Sequence, residues 1–213
     1  MTAIKSENIC RIPELESLPW LIHGFGTRHS DVPALFPNLG TLKQIHSNTC
    51  LPATGRSGVI GEADALLENT PGAVVAVKTA DCLPILLIDE RLRAVAAVHA
   101  GWRGTAAGIA RNALEAMREQ FGTNPADVHA AIGPGIGECC FEVGPEVAVH
   151  FGREGRVHID LAAENRRQLL EAGVTPQRIY ASNLCTQCLS GDFHSFRRDR
   201  EASGRMFSFA GIR

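Results

Sequence analysis

The sequence predicts an α/β (α+β) fold, organised as a single layered domain over residues 1–213 in which helices flank a mixed β-sheet. Apolar segments of strand length alternate with segments of helical periodicity along the chain. Two strands are joined only by residues 90–92, and so short a link implies antiparallel neighbours. Helices connect other strands and allow parallel pairs. The length of 213 residues fits one domain.

Strands are predicted where short apolar runs end at turn-forming or charged residues. The first third is rich in Gly, Pro and Asn, so it yields only one strand, and residues 1–20 are an N-terminal extension without an assigned element. The chain from residue 184 onward is polar and arginine-rich, which predicts an irregular tail. The predicted strands are 22–27, 73–79, 84–89, 93–99, 128–132 and 179–182.

Two helices are predicted from apolar residues at helical spacing. The first covers 106–121 and is stopped by Gly122. The second covers about 160–172, with Asp160 as its N-cap and Gly173 after its end. Both follow predicted strands, so they are the crossovers of the layered domain.

Composition excludes several classes of function. The formal net charge of −2 gives no basis for nucleic acid or an anionic membrane as partner. The first twenty residues lack the apolar stretch of a secretory signal, and no apolar run is long enough to span a bilayer. We therefore expect a cytoplasmic protein. Its seven cysteines are then core residues, metal ligands or nucleophiles rather than disulfides.

The strongest candidate site is formed by Cys82 and His99. Cys82 lies in the turn between two predicted buried strands, and His99 ends the second apolar strand after it. If strands 84–89 and 93–99 pair as a hairpin, the start of one lies beside the end of the other. That register brings the thiol and the imidazole together. A buried hydrophobic cysteine and a core histidine are the alternative interpretation.

His46, in Lys43-Gln44-Ile45-His46, is the third candidate ligand. Together with Cys82 and His99 it makes a Cys/His₂ set, and thiolate with imidazole suits Zn²⁺. Three protein ligands leave a fourth position for water or substrate, which is the pattern of catalytic zinc. Cys185-x-x-Cys188 has zinc-knuckle spacing, but no second pair lies near it in sequence, so we expect it to be unnecessary for this zinc.

Two glycine-containing turns provide further candidates. Around Gly101-Trp102-Arg103-Gly104 a strand turns into a helix, whose N-terminus and Arg103 favour an anion. The loop after strand 128–132 contains the adjacent Cys139 and Cys140, followed by Glu142 as a candidate acid or base. Packed thiols and a solvated arginine are the alternatives.

Several motifs, in this order, resemble the YfiH-like family. Its members are called polyphenol oxidase (laccase), peptidoglycan editing factor and purine nucleoside phosphorylase. The motifs are Lys43-Gln44-Ile45-His46, Glu62-Ala63-Asp64-Ala65-Leu66, Thr79-Ala80-Asp81-Cys82-Leu83-Pro84, Val98-His99-Ala100-Gly101-Trp102-Arg103-Gly104, Gly133-Pro134-Gly135-Ile136-Gly137 with Cys140-Phe141-Glu142-Val143, and Ser195-Phe196-Arg197-Arg198-Asp199 with Gly204-Arg205-Met206.

The resemblance implies a catalytic zinc on His46, Cys82 and His99, with copper as the second choice. It implies a monomer similar in fold to the cytotoxic necrotizing factor-like cysteine hydrolases. The implied reactions are phosphorolysis of adenosine, inosine, guanosine and methylthioadenosine, and deamination of adenosine. One segment departs from the family: Lys43 follows Arg28 by only fifteen residues, so about one helix is missing there.

These reactions assign roles to the polar candidates. Cys82 and His99 are catalytic, and Asp64, Asp81 and Glu142 are the carboxylates available for proton transfer. Asp64 is also a candidate for substrate binding. Phosphate needs cationic partners. The candidates are Arg28, Arg103, Arg197 and Arg198.

Other functions stay open at this point. Cys82 and His99 are also the nucleophile and base of a cysteine hydrolase or of an enzyme that edits peptidoglycan precursors. A copper polyphenol oxidase needs more histidine ligands than the eight in this chain. A zinc-binding protein without catalysis is the last alternative. Metal analysis combined with a nucleoside turnover screen separates them.

Overall fold

The computed structural model describes residues 4–6 and 8–213, so residues 1–3 and 7 of the N-terminal extension lie outside it. The strands are β1 (Ile4–Ser6), β2 (Ile9–Arg11), β3 (Leu21–Gly26), β4 (Leu39–Lys43), β5 (Cys50–Pro52), β6 (Gly58–Glu62), β7 (Ala65–Glu68), β8 (Val74–Thr79), β9 (Leu83–Asp89), β10 (Ala94–Ala100), β11 (Val128–Ile132), β12 (Glu142–Val143), β13 (Val157–His158), β14 (Ile179–Ala181) and β15 (Met206–Ile212). The α-helices are α1 (Val32–Leu35), α2 (Trp102–Ala106), α3 (Ile109–Phe121), α4 (Pro145–Ala148), α5 (Leu161–Glu171) and α6 (Phe196–Asp199). Short 3₁₀ turns cover Pro13–Ser17, Pro125–Asp127, Val149–Phe151, Pro176–Arg178 and Arg200–Ala202.

The strands form two large sheets and one small one. One sheet has the order β1-β2-β3-β15-β8-β4-β6, the other β14-β11-β9-β10-β7-β5, and β12 pairs with β13. Both large sheets contain parallel and antiparallel pairs. The prediction of mixed strands flanked by helices is confirmed. The number of sheets is a correction, because the sequence predicted one mixed sheet.

Hydrophobic burial explains the layers. Apolar side chains of both large sheets, including Phe25, Val77 and Leu86, share one core. The other face of the second sheet packs against helices α3 and α5 in a second core. Strands β9 and β10 are therefore covered on both faces, which is why their sequences are continuously apolar.

Helix α3 ends where the sequence predicts but begins later. Gly122 terminates it in the left-handed conformation, with φ of +79°. The predicted helix 106–121 is divided, because Gly108 adopts φ of +80° between α2 and α3. Asp160 caps α5 as predicted, accepting a hydrogen bond from the backbone N–H of Ala163.

The C-terminal tail is the largest correction. The expected irregular segment ends at Arg205, and Met206–Ile212 forms β15 between β3 and β8 in the middle of the first sheet. Six of its seven residues are buried. The tail was predicted to be irregular because arginines dominate its composition before residue 206. The short apolar run that follows is buried in the first sheet. The segment after Arg28 holds only the one-turn helix α1.

Within the described part of the chain, no helix combines the length and the apolar character needed to cross a bilayer.

Candidate metal centre and active site

Cys82 and His99 meet at one end of the second sheet. Strand β9 begins directly after Cys82, and in its antiparallel pairing with β10, Pro84 lies opposite His99 and Leu83 opposite Ala100. This is the register that the sequence predicts. The strand ends therefore fix the two side chains independently of any ligand.

His46 completes the set from the loop after β4. Its backbone is left-handed, with φ of +59°, an uncommon conformation for a residue other than glycine. The backbone N–H of His46 donates to Oδ1 of Asp64 at 3.0 Å, which holds this conformation. The ligand atoms of His46, Cys82 and His99 all lie within 4.8 Å of one another. The structure thus brings together the three residues predicted as metal ligands.

Asp64 is hydrogen-bonded to two of the three candidate ligands, His46 and His99. Its carboxylate is fully buried and accepts hydrogen bonds from His99 Nδ1 at 2.8 Å, Ser47 N at 2.6 Å and Ser47 Oγ at 2.8 Å. With Nδ1 occupied, Nε2 is the free nitrogen of His99, the arrangement that carboxylates impose on metal-binding histidines. Asp64 was predicted to bind substrate. Its side chain is fully buried and its oxygen atoms accept hydrogen bonds from protein groups.

The charges within the set are mutually stabilising. Burial raises the pKa of Asp64, but hydrogen bonds from His99 and Ser47 outweigh it and lower the pKa to about 2. Burial likewise raises the pKa of Cys82, yet hydrogen bonding to His46 and His99 lowers it to about 6. For His99, burial lowers the pKa, while Asp64 and Cys82 raise it to about 9. A thiolate is therefore present near neutral pH.

Gly101 leaves room beside these donors. A Cβ atom at this position would lie 2.9 Å from Cys82 Sγ and 3.3 Å from His46 Cδ2. Any side chain here would press on both candidate ligands, so the glycine keeps the space around the thiolate open. One thiolate and two imidazoles suit a zinc or copper ion, and the donors of His46, Cys82 and His99 fit either.

Asp81, predicted as a catalytic acid or base, is held by other groups. Its carboxylate accepts hydrogen bonds from Thr186 Oγ1 at 2.6 Å, Ser195 Oγ at 3.1 Å and the backbone N–H of Arg197 at 2.6 Å. Its backbone is left-handed, with φ of +82°. Asp81 borders the cavity, but these contacts make it the anchor that fastens the loop before α6 beside Cys82.

The three candidate ligands, His46, Cys82 and His99, line a cavity of about 740 Å³. This volume lies within the range of sites for drug-sized ligands, roughly 300–1,000 Å³. Its lining combines the candidate ligands with aromatic and cationic side chains. The lining residues are Lys43, Gln44, His46, Lys78, Thr79, Ala80, Asp81, Cys82, His99, Trp102, Ile136, Phe141, Phe196, Arg197, Arg200 and Arg205.

Of the predicted phosphate contacts, only Arg197 lines this cavity. Arg28 donates to the carbonyl of Ser190 at 2.6 Å, away from the cavity lining. The guanidinium of Arg103 lies 4.3 Å from the ring centroid of Trp102, and helix α2 is only five residues long. Arg198 donates to the carbonyls of residues 186, 187 and 193, which folds the loop around it.

Sequence reasoning gave no binding role to four cations that line the cavity: Lys43, Lys78, Arg200 and Arg205. Lys78 is the only charged residue of β8, and a lone lysine in an otherwise buried strand was the available signal. Lys43 and Arg205 belong to motifs of the family resemblance, and Arg200 lies in the arginine-rich tail. Glu142 is absent from the lining. Its carboxylate is exposed and lies 3.8 Å from Arg156 Nη1.

A second group of possible metal ligands lies outside the residues that line this cavity. The adjacent Cys139 and Cys140 face Cys185 and Cys188, with all four sulfur atoms within 4.8 Å of one another. The sequence analysis assigned the CxxC pair no partner, since the two pairs are separated by more than forty residues. Only the fold brings them together.

Comparison with known proteins identifies the family. Residues 30–213 match the family described as multi-copper polyphenol oxidoreductase laccase. The chain belongs to this family. It is 42% identical over 161 residues to a purine nucleoside phosphorylase of Deinococcus radiodurans, covering 71% of this chain and 62% of that protein.

Two further relatives are named for purine nucleosides. Adenosine deaminase RL5, from an unknown prokaryotic organism, is 42% identical over 159 residues, covering 68% of this chain and 60% of the relative. Purine nucleoside phosphorylase YfiH of Escherichia coli is 39% identical over 180 residues, covering 79% and 71%. The matched region spans about six tenths of the length of the Deinococcus radiodurans protein and of adenosine deaminase RL5.

Solved structures share the fold. The crystal structure of YlmD from Geobacillus stearothermophilus superimposes with a TM-score of 0.91 at 28% identity, covering 100% of this chain and 98% of that one. A hypothetical protein YfiH from Bacillus licheniformis gives a TM-score of 0.90 at 27% identity, covering 98% of each chain. The predicted resemblance to the YfiH-like family is confirmed.

Proposed function

We propose that this protein is a zinc-dependent purine nucleoside phosphorylase that also deaminates adenosine. Adenosine, inosine, guanosine and methylthioadenosine are the expected nucleosides. The observation that carries the proposal is the placement of a Cys/His₂ set at the wall of a cavity lined by aromatic and cationic side chains. The names of the relatives agree with this chemistry.

Zinc fits the donor set, with His46, Cys82 and His99 as its ligands. When bound, it supplies a Lewis acid that polarises a substrate atom or activates water. The chain itself keeps the thiolate ionised and orients His99 through Asp64. Asp64 is thus a positioning residue, and its contribution is the geometry of the ligands.

Aromatic side chains offer a site for the purine. Phe141, Phe196 and Trp102 line the same cavity as the metal set. Their rings provide apolar faces for stacking a base, and the cavity excludes water from the sugar. The nucleoside is thereby held with its glycosidic bond near the cationic side of the cavity.

The cations bind the second substrate. Arg197, Arg200, Arg205 and Lys78 line the cavity, and a guanidinium can hold a phosphate through two hydrogen bonds. In phosphorolysis a phosphate oxygen bonds to C1′ while the C1′–N bond breaks. The electron pair leaves with the purine, which takes up a proton. The products are the free base and ribose-1-phosphate.

Product analysis tests this function. Purified zinc-loaded protein is incubated with adenosine or inosine, with phosphate present or omitted, and the products are separated by chromatography. We expect free base and ribose-1-phosphate only when phosphate is present. Inosine formed from adenosine without phosphate reports the deaminase activity. No conversion of any purine nucleoside would contradict the proposal and leave a metal-binding role.

A cysteine hydrolase is the second candidate, and it includes the editing of peptidoglycan precursors. The observation in its favour is the thiol of Cys82, whose pKa falls to about 6 beside two imidazoles despite burial. Bound zinc would occupy that thiolate. Hydrolysis that rises when zinc is removed by a chelator, and falls when zinc is restored, would favour this candidate over the phosphorylase.

A further inference from the structure

The four cysteines of the second cluster have the spacing of a tetrahedral metal site. Cys140 Sγ lies 3.4 Å from Cys188 Sγ, and Cys139 Sγ lies 3.7 Å from Cys140 Sγ and 3.8 Å from Cys188 Sγ. Zn–S bonds of about 2.3 Å in a tetrahedron place the sulfur atoms about 3.8 Å apart. A disulfide brings them to about 2.05 Å. These three distances are longer than a disulfide bond, and all four sulfur atoms lie within 4.8 Å of one another, which admits one ion between them.

Backbone contacts join the two loops that carry this cluster. Gly135 and Cys185 form a parallel β-bridge, with Gly135 N–H donating to Leu184 O at 3.2 Å and Thr186 N–H donating to Gly135 O at 3.0 Å. The N–H of Gly137 donates to Cys185 Sγ at 3.3 Å. The loop that contains Cys139 and Cys140 is thus fastened to the CxxC loop by main-chain contacts.

The thiols of this cluster differ in the direction of their pKa shifts. Burial raises the pKa of Cys185, but backbone N–H donors from Gly137 and from residues 188 and 187 outweigh it and lower the pKa to about 7. Burial and the neighbouring thiols raise the pKa of Cys140. Four thiolates this close repel one another, so a divalent cation is needed to ionise all of them together.

We propose that Cys139, Cys140, Cys185 and Cys188 bind a second zinc ion, which is structural. All four ligand positions are filled by protein, which is the arrangement of structural rather than catalytic zinc. A tetrahedral set of four thiolates selects zinc over calcium or magnesium, which take oxygen ligands. An iron–sulfur cluster spreads its cysteines over several iron atoms and needs wider spacing. On binding, the four thiols release their protons to water.

This zinc site clamps two loops, of which one lines the cavity and the other contacts Asp81. Phe141, next to Cys140, lines the cavity. Thr186, next to Cys185, donates to Asp81 at 2.6 Å, and Asp81 precedes Cys82. The second ion therefore holds the loops in the positions that the first centre and the cavity require.

Metal counting on separate variants tests the proposal. The full-length protein is purified under reducing conditions, and zinc is measured by mass spectrometry against protein concentration. We expect about two zinc ions per wild-type chain, and about one in both Cys82→Ala and the double variant Cys185→Ser with Cys188→Ser. Cys50→Ala is the matched control, because Cys50 lies outside both groups, and it should keep about two.

Cobalt spectroscopy covers the case in which the double variant fails to fold. Cobalt(II) is added to metal-free, reduced Cys82→Ala protein, whose cysteine cluster is intact. We expect the intense thiolate-to-metal absorption of a tetrahedral four-sulfur site, and its loss on adding one equivalent of zinc. Folded, reduced Cys82→Ala protein that binds neither metal would overturn the proposal. So would peptide mapping that finds Cys140 joined to Cys188 in freshly isolated protein, because a disulfide removes two ligands.

Discussion

The two thiol-containing centres differ in what surrounds the sulfur. Cys82 is one of three donors, its partners are imidazoles, and Asp64 orients one of them. The other centre has four thiols on two loops and, within the described residues, no histidine or carboxylate in the same ligand group. The first borders a cavity of about 740 Å³, whereas two of the four cysteines in the second are exposed at the surface. Three protein donors are typical of catalytic zinc and four of structural zinc, which is the contrast that our two proposals rest on.

The largest effect that this comparison predicts is from Cys82→Ala. We expect activity to fall more than about a hundredfold, because Lewis-acid stabilisation worth several kcal/mol is lost. The fold should survive, since residue 82 lies in a turn and the strands on either side of it pair through their backbones. Turnover assays and circular dichroism check both statements. A folded variant that keeps wild-type activity would remove the catalytic role of this centre.

Asp64→Asn tests the support of the open centre. Asparagine removes the buried charge and replaces one of the two accepting oxygens by an NH2 donor, so metal affinity should weaken by about 10–100-fold. Glu62→Gln is the control, because Glu62 is exposed and pairs with Lys43 on the surface. Competition with a chelator measures both variants. Equal affinities would show that the carboxylate does not act on the ligands, whereas the cysteine cluster should keep its ion in either case.

Arg197→Gln tests the cationic side of the cavity. Removing a charge-assisted hydrogen bond of roughly 1.5–3 kcal/mol should raise the KM for phosphate by about 10–100-fold, with a smaller change in the KM for nucleoside. Arg103→Gln is the matched control, because its guanidinium lies against Trp102 outside the cavity lining. Steady-state kinetics in both substrates decides. A larger effect at residue 103 would restore the sequence-based assignment of phosphate to that arginine.

The smallest effect comes from His23, a buried histidine that contrasts with His99. Burial and the charge of Arg11 lower its pKa to about 4, whereas Asp64 and Cys82 raise that of His99. The folded state keeps His23 neutral, so below pH 6.5 the unfolded state binds the proton first and stability falls as the pH approaches 4. At pH 5 this amounts to about 2 kcal/mol relative to pH 7.5.

Urea unfolding at the two pH values measures this loss. His23→Leu removes the titrating group, so its stability should fall by about 2 kcal/mol less than that of the wild type over the same interval. An identical pH dependence in both proteins would show that His23 is not held neutral in the folded state.

Two ligands of the open centre could be placed from sequence because they lie at the ends of predicted strands. Cys82 and His99 flank an apolar hairpin, and a hairpin has one register that matches its strand ends. The cysteine cluster could not be predicted in this way, because residues 139–140 and 185–188 lie in loops whose meeting depends on a β-bridge between Gly135 and Cys185. The residue types of the two loops do not indicate that the loops lie close together in the fold.

The role of a carboxylate was also beyond the sequence. Asp81 and Glu142 were predicted as catalytic and Asp64 as substrate-binding. The structure buries Asp64 against His99, and it bonds Asp81 to Thr186 and Ser195. Strand β15 was missed for a similar reason, because its structure depends on residues that are distant in sequence. Its apolar run is short, and only the neighbouring strands β3 and β8 supply the hydrogen bonds that make it a central strand.

Anomalous X-ray diffraction from crystals of the reduced protein, recorded on both sides of the zinc absorption edge, tests the central claim most directly. We predict a peak between His46 Nε2 or Nδ1, Cys82 Sγ and His99 Nε2, with non-protein density at a fourth position facing the cavity, and a second peak inside the four cysteines. Protein donors in all four positions at the first centre, or no zinc signal there in crystals whose cysteine cluster is filled, would contradict the account.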